Sequence, residues 1–299
     1  MSKLQPAAEA IAANVRDGDT VYVAGFSHII PFATAHEIIR QRRRGLTLAR
    51  PTLDLVGEQL VAGGCVARIV SSYLGNPGFG TLRLIRERAE AGEIELEEYS
   101  HYGMIARLFA GASRLPFFPL VSYAGSDLRD VNPQIRTVTD PYTNQTITVV
   151  PPLRPDVALI HVQRAAEDGS SQAWGIVGDA REAAFAAERV ILSCEELVPT
   201  EVIEHDPNRT IVPGFLVSAL VHAPRGGHPG PVQGYYRRDD QFYAAWAERS
   251  RSREGIEQML DEWIFQVADA GEYRRRLGEE RLEALRVTSR PAGPVNYGG

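Results

Sequence analysis

Residues 17–31, Asp-Gly-Asp-Thr-Val-Tyr-Val-Ala-Gly-Phe-Ser-His-Ile-Ile-Pro, constrain the fold more than any other stretch of the chain. Thr20–Ala24 is a short apolar, β-branched run that reads as a buried strand, introduced by the turn pair Asp17-Gly18. Gly25 stops it, and Pro31 suits the first turn of a helix, where a missing N–H costs nothing. The helix is expected over Phe32–Arg43, with Phe32, Ala35, Ile38 and Ile39 on one face. Strand, glycine turn and helix together bring backbone N–H groups and a helix N-terminus around an anionic or carbonyl ligand. Taken alone the stretch is better read as a plain strand-to-helix connection; the rest of the chain changes that reading.

The same design returns downstream. Leu46–Ala49 reads as a second strand and Leu53–Ala62 as a helix, with Asp54 near its start and Gly63-Gly64 at its end. Val66–Tyr73 is a third strand that runs into Leu74-Gly-Asn-Pro-Gly-Phe-Gly80, followed by a helix over Thr81–Ala91, capped by Thr81 and closed by Gly92. The order Gly-x-x-Gly-x-Gly differs from the dinucleotide fingerprint, and no acidic residue placed for a ribose follows. Loops on neighbouring strands open at one carboxyl edge of a parallel sheet, so Asn76, Gly78 and Gly80 are expected beside Gly25, Phe26, Ser27 and His28.

Beyond this point Ile94–Tyr99 reads as a strand and His101–Ala112 as a helix. Leu115–Leu120 is a proline-flanked apolar cluster, expected as a buried extended segment, and Gly125–Thr143 is a polar, irregular excursion taken as an interface. Strands are expected at Thr146–Val150, Val157–Val162, Arg189–Cys194 and Ser218–Ala223, with a helix at Asp179–Ala187 and a mostly helical part over 239–286. Alternating strands and helices give an α/β fold with a mostly parallel sheet and flanking helices. The expected organisation is one domain over 1–286 and a flexible tail over 287–299, rich in proline and glycine.

Composition removes several function classes. No run of 18 apolar residues is present and the start leads into an Ala-rich amphipathic helix, so neither membrane nor secretion is expected. The isolated Cys65 and Cys194 read as buried thiols of a reducing cytoplasm. A net charge of −6 leaves no nucleic-acid footprint. Lys3 is the only lysine and is expected at a frayed terminus, which disfavours Schiff-base and phosphate-loop lysine chemistry. His222 and His228 are poorly spaced for a metal, and none is expected. Ser71 and Ser72 lie outside any nucleophile elbow. Glu195 and Glu196 read as capping or ion-pairing groups before acid/base groups, and His161 as a satisfied core histidine with Gln163 on the same side. His28 reads equally as a donor to a substrate carboxylate or as a bystander.

A set of motifs in order along almost the whole chain carries a resemblance. It includes Asp17-Gly-Asp19, Ala24-Gly-Phe26, Glu98-Tyr-Ser100, Leu115-Pro-Phe-Phe-Pro119, Asp156–His161, Asp168-Gly169, Trp174-Gly175, Cys194-Glu-Glu196, Gly227-His-Pro229 and Glu262-Trp263. In these the chain resembles the α-type chain of class I coenzyme A transferases, most of all those of the glutaconate type. It departs from that family's paired glycines in having Ala24-Gly25, and its loop from Phe26 to Pro31 is a residue shorter. The resemblance implies a NagB/RpiA-like fold and a transfer of CoA between an acyl-CoA and a short carboxylic or dicarboxylic acid. It also implies ping-pong kinetics through a glutamate of a β-type partner subunit, in a heterodimer or higher oligomer. This chain then carries no catalytic residue of its own and no permanently bound cofactor; coenzyme A is a substrate. Its expected substrate-binding residues are Gly25, Phe26, Ser27, His28, Ser71, Asn76, Gly78, Gly80 and Gln163, with amides near Gly25–Ser27 and Gly75–Gly80 facing an oxyanion or carboxylate. One alternative is a hydrolase or decarboxylase of a CoA thioester on the same fold; the ring-hydrolase branch has a glutamate where Tyr102 stands. Another is a non-catalytic ligand-binding or regulatory module.

Overall fold

The structure, a computed structural model, describes residues 2–287. Helix α1 (Ala7–Asn14) leads into β1 (Thr20–Val23), α2 (Phe32–Arg40), β2 (Leu46–Ala49), β3 (Thr52–Leu53) and α3 (Leu55–Ala62). Next come β4 (Val66–Ser71), β5 (Tyr73–Leu74), α4 (Arg83–Glu90), β6 (Glu95–Glu98) and α5 (His101–Ala112). The middle of the chain holds β7 (Phe118–Leu120), α6 (Leu128–Val131), β8 (Arg136–Thr139) and β9 (Thr146–Val150). There follow β10 (Val157–Ala165), β11 (Ser171–Gln172), α7 (Ala180–Ala186), β12 (Arg189–Leu197), α8 (Thr200–His205), β13 (Thr210–Val212) and β14 (Val217–His222). Helices α9 (Asp240–Arg249), α10 (Arg253–Leu260), α11 (Ala270–Leu277) and α12 (Glu279–Leu285) end the described chain.

Seven strands pair in parallel in the order β6-β4-β2-β1-β10-β12-β14, and β11 and β13 extend the sheet antiparallel from the far end of β10. The chain therefore builds outward from β1 to β6, returns beside β1, and builds outward the other way. The seam between β1 and β10 is the point where strand order reverses, the crevice in which open α/β sheets bind ligands. Strand alternation sorts the core into two layers. Val21 and Val23 pack with Ile11, Phe32, Ile38 and the C-terminal Trp246 and Ile264, whereas Tyr22 and Ala24 pack with Met104 and Leu108 of α5 and Ala183 of α7. The small antiparallel sheet β7-β9-β8 completes the second layer.

Several expectations change. Lys3 is not frayed: Nζ donates to the carbonyls of Gly214 and Val217, and the Leu4–Leu220 bridge ties this segment to β14. Pro31 is the N-cap residue of α2, not its first turn, and the helix ends at Arg40 because Arg42 turns left-handed at φ 54°. Helix α4 starts at Arg83 with no side-chain cap from Thr81. Strands β10 and β12 run on through Gln163 and Glu195-Glu196. Leu115, Pro116 and Phe117 are exposed rather than buried, and the excursion 125–143 contains α6 and the edge strand β8. The tail expected from Val287 onward lies outside the described residues beyond that position.

Candidate functional site

The loop leaving β1 lies at the seam. Gly25 has φ 91°, and a Cβ built there would lie 2.7 and 2.8 Å from the carbonyl oxygens of Ile29 and His28. Only glycine lets the chain curl so tightly. Ser27 (φ 54°) and Ile29 (φ 49°) are also left-handed, a conformation that costs energy in a β-branched residue and persists only when its surroundings enforce it.

Those surroundings are visible. His28 is buried; its Nδ1 accepts the N–H of Gln233 at 3.2 Å, which leaves Nε2–H to donate to the Trp174 carbonyl at 3.0 Å. Gln163, reaching in from β10, donates to the same carbonyl at 2.8 Å and accepts the Trp174 N–H at 3.3 Å. Burial pushes His28 below the ordinary imidazole value, so it is held neutral. Ile29 N–H is tied to the Pro231 carbonyl at 3.1 Å. From the other side Gly178 packs on Phe26, and the adjacent Asp179 accepts the hydroxyl of Tyr22 from β1. Beneath the loop lies Arg50, 1% exposed, which donates to the carbonyls of Val23 (2.8 Å), Ala24 (2.7 Å) and Thr52 (2.6 Å) and pairs with Asp54 at 3.0 Å. What the brace leaves free is the outer turn: Phe26 and Ser27 are exposed, and the N–H groups of Phe26, Ser27 and His28 meet no acceptor among the described residues. Successive amides in alternating backbone conformations form an anion-binding nest.

The loop leaving β4 is built differently. Asn76 N–H donates to the Gly80 carbonyl at 2.8 Å and Phe79 N–H to the Asn76 carbonyl at 2.8 Å, with Gly78 and Gly80 left-handed at φ 87° and 91°. The loop closes on itself and leans on the C-terminal helices: Arg238 donates to the Pro77 carbonyl at 2.9 Å, and Phe79 stacks on Tyr243. Ser71 is buried, its hydroxyl donated to the Pro51 carbonyl. Arg238, which holds this loop, also lines a cleft of about 540 Å³ with Ser27, His28, Ile176 and Gln233.

The expected helix N-termini do not serve the site. In α2 the Phe32 N–H is taken by Ile30 and the Ala33 N–H by Gly226; in α4 the Leu84 N–H is taken by Glu58, itself held by Trp246. The helix that does open there is α5, whose Ser100 cap accepts the Gly103 N–H and whose first residues, His101 and Tyr102, are exposed. His101 meets Phe26 edge-on at 5.8 Å, and because Ser72 donates to Pro51 at 2.6 Å, its oxygen accepts His101 Nδ1–H at 3.1 Å.

Of the expected residues, Phe26, Ser27 and His28 come together at the mouth, Gly25 and Gln163 sit behind it as scaffold, Ser71 is buried at the end of β4 and Asn76 in the second loop, whose Gly78 and Gly80 shape its turn. Sequence reasoning missed His101, Ser72, Arg50 and Asp179. Only the nucleating Ser100-His101 at a strand end, opposite a glycine loop, offered a signal. His161 is satisfied as expected, its Nδ1 hydrogen-bonded to Ser193 Oγ and its Nε2 to Glu195, each at 2.9 Å. Among the described residues no cluster of three potential metal ligands occurs, and no helix is long and apolar enough to cross a membrane.

Residues 4–223 match the coenzyme A transferase family model. The A subunit of the 3-oxoadipate CoA-transferase of Pseudomonas knackmussii is 42% identical over 282 residues, covering 93% of this chain and 99% of that one. The A subunit of the glutaconate CoA-transferase of Acidaminococcus fermentans is 32% identical over 305 residues, covering 96% and 95%. The crystal structure of that transferase superposes with a TM-score of 0.92 over 96% of each chain. The decarboxylase AibA/AibB superposes with a TM-score of 0.77 at 32% identity, over 87% of this chain and all of that one.

Proposed function

This chain belongs to the coenzyme A transferase family, and from that membership we propose that it is the A subunit of a two-chain enzyme that moves CoA between an acyl-CoA and a short dicarboxylic acid of the 3-oxoadipate or glutaconate type. The nest of free amides at Phe26–His28 carries the reading. In such a reaction a partner glutamate attacks the acyl-CoA and an enzyme-bound CoA thioester follows. At each attack the carbonyl oxygen gains negative charge. Fixed N–H donors stabilise that charge without reorganising. In this reading His101, which meets Phe26 edge-on, and the exposed Ser27 receive the far end of the acid. The partner, in this reading, also covers the outer face of β7-β9-β8, where Phe109, Phe117, Val121 and Tyr142 are 47, 40, 80 and 94% exposed. The setting is the cytoplasm.

A second reading, decarboxylation or hydrolysis of a CoA thioester on the same fold, is favoured by the likeness to the decarboxylase AibA/AibB over 87% of this chain. Tyr102, standing where the ring-hydrolase branch has a glutamate, counts against the hydrolase form of this reading. The deciding experiment co-expresses the chain with its β-type partner and follows CoA exchange between two acids. Exchange with parallel double-reciprocal lines is expected. Loss of CO₂ or free CoA without exchange would select the second reading, and full activity of this chain alone would sink both.

A further inference from the structure

We propose that the cleft walled by Arg225, Arg274 and Arg286 binds phosphate, and that it holds the phosphate-bearing end of the acyl-CoA, the latter part resting on the function proposed above. The cleft has a volume of about 620 Å³ and is otherwise lined by Glu195, Glu283, Tyr235 and Tyr236. It shares Gly234, Tyr236 and Val287 with the cleft that contains Ser27 and His28, so one extended ligand can occupy both.

The charges in this cleft do not balance internally. Arg225 is held in place: its backbone N–H donates to Glu195 at 2.7 Å, its φ is 68°, and its guanidinium lies over the Tyr236 ring, 4.5 Å from the centroid. Nη2 makes one long contact, 3.4 Å, to the Leu282 carbonyl, and Nη1 is buried with no acceptor among the described residues. A buried N–H without a partner carries its full desolvation cost until an acceptor arrives. The nearby Glu195 is not that acceptor, because its oxygens already receive His161, Tyr236 and the Arg225 amide. Burial, and the Arg274 guanidinium with it, pushes Arg225 below the ordinary arginine value. Arg274 itself has no carboxylate within 4.0 Å among the described residues, and Arg286 has only Glu283, at 3.5 Å. Three guanidinium groups against two carboxylates, Glu195 already filled by its own hydrogen bonds and Glu283 only loosely paired, leave a positive cleft with donors to spare, and the guanidinium fork matches phosphate geometry.

The test uses the assembled two-chain enzyme with Arg225→Gln, whose stem still packs on Tyr236, and Arg274→Gln on the exposed face of α11. Thermal melting with and without inorganic pyrophosphate reads the site directly. KM for an acyl-CoA and for the matching acyl-pantetheine, which lacks phosphate, reads its use. Wild type should be stabilised by pyrophosphate and either variant should lose that shift. Each variant should raise KM for acyl-CoA about tenfold, the loss of one charge-assisted contact, with kcat and the acyl-pantetheine KM unchanged. Lost stabilisation with an unchanged acyl-CoA KM would keep the phosphate site and assign it to a separate phosphorylated ligand. Absence of both effects overturns the proposal. If wild type exchanges no CoA, the proposed function falls, and the pyrophosphate shift still decides the site.

Discussion

The loops after β1 and β4 look alike as sequence: each is an apolar strand, a short glycine-containing turn and a helix. Folded, they are opposites. The first is held from outside by His28, Gln163, the Trp174 and Pro231 carbonyls and Arg50, and so spends no amides on its own closure at Phe26–His28. The second spends its amides on itself, through Asn76 and Gly80, and rests on Arg238 and Tyr243. External bracing is what frees backbone donors for a ligand. Glycine spacing reports that the chain turns, and says nothing of who receives its hydrogen bonds.

The largest expected break in this contrast is Gly25→Val. Its side chain would meet backbone at 2.7 Å in a left-handed conformation, so we expect a loss of at least about 3 kcal/mol, with collapse of soluble, assembled protein and not only of turnover. Melting and size exclusion of the co-expressed complex measure it; normal assembly with lost kcat would mean that the loop yields more easily than its contacts say.

Acid comes next. Burial pushes His28, His36 and His228 below the ordinary value of 6.5, His36 to about 3. The unfolded chain takes up these protons near pH 6.5 while the folded chain refuses them, so stability rises with pH. It should fall below pH 6.5 by up to about 1.4 kcal/mol per pH unit for each histidine, the His36 share running to about pH 3. Urea midpoints between pH 7.5 and 5 should show a shallower slope in His28→Gln and in His36→Gln. Only His28→Gln should also lower kcat, because only it loosens the first loop; an equal fall in both would dissolve the distinction.

The smallest effect is expected in the second loop. Gly80 has φ 91° but open space around its Cβ position, so Gly80→Ala should cost about 1–2 kcal/mol of conformational strain and change kcat/KM by less than about threefold. A steady-state assay beside a melting curve checks this. A hundredfold loss would show that the second loop, too, offers its backbone to substrate.

How far the sequence could be read follows from the same physics. The buried parallel strands β1, β4, β10 and β12 stand out as apolar β-branched runs, and helix α5 was legible from His101 to Ala112 by its periodicity. In the small β7-β9-β8 sheet β9 was legible, but β8 was not, because Arg136–Thr139 is an exposed edge whose alternation carries little apolar contrast. At the site, Gly25, Gly78 and Gly80 were legible because only glycine is at ease at positive φ. The partners of His28 and Gln163 were not, since the Trp174 carbonyl is brought to them by tertiary packing alone. A fully buried arginine such as Arg50 is indistinguishable in sequence from any surface cation.

Arg50 has a consequence for the electrical sign of the sheet edge. Carbonyls that leave the ladder where a strand ends would present an incoming anion with a rim of partial negative charge. The Arg50 guanidinium covers two such carbonyls where the central strand ends, Val23 and Ala24, just before the Phe26–His28 amides in the chain. An anion approaching this rim meets N–H dipoles backed by a cation instead of bare carbonyls. Lysine, a single point charge, has no planar fork with which to span both strands and reach Asp54, so the rim's polarity depends on arginine at this position.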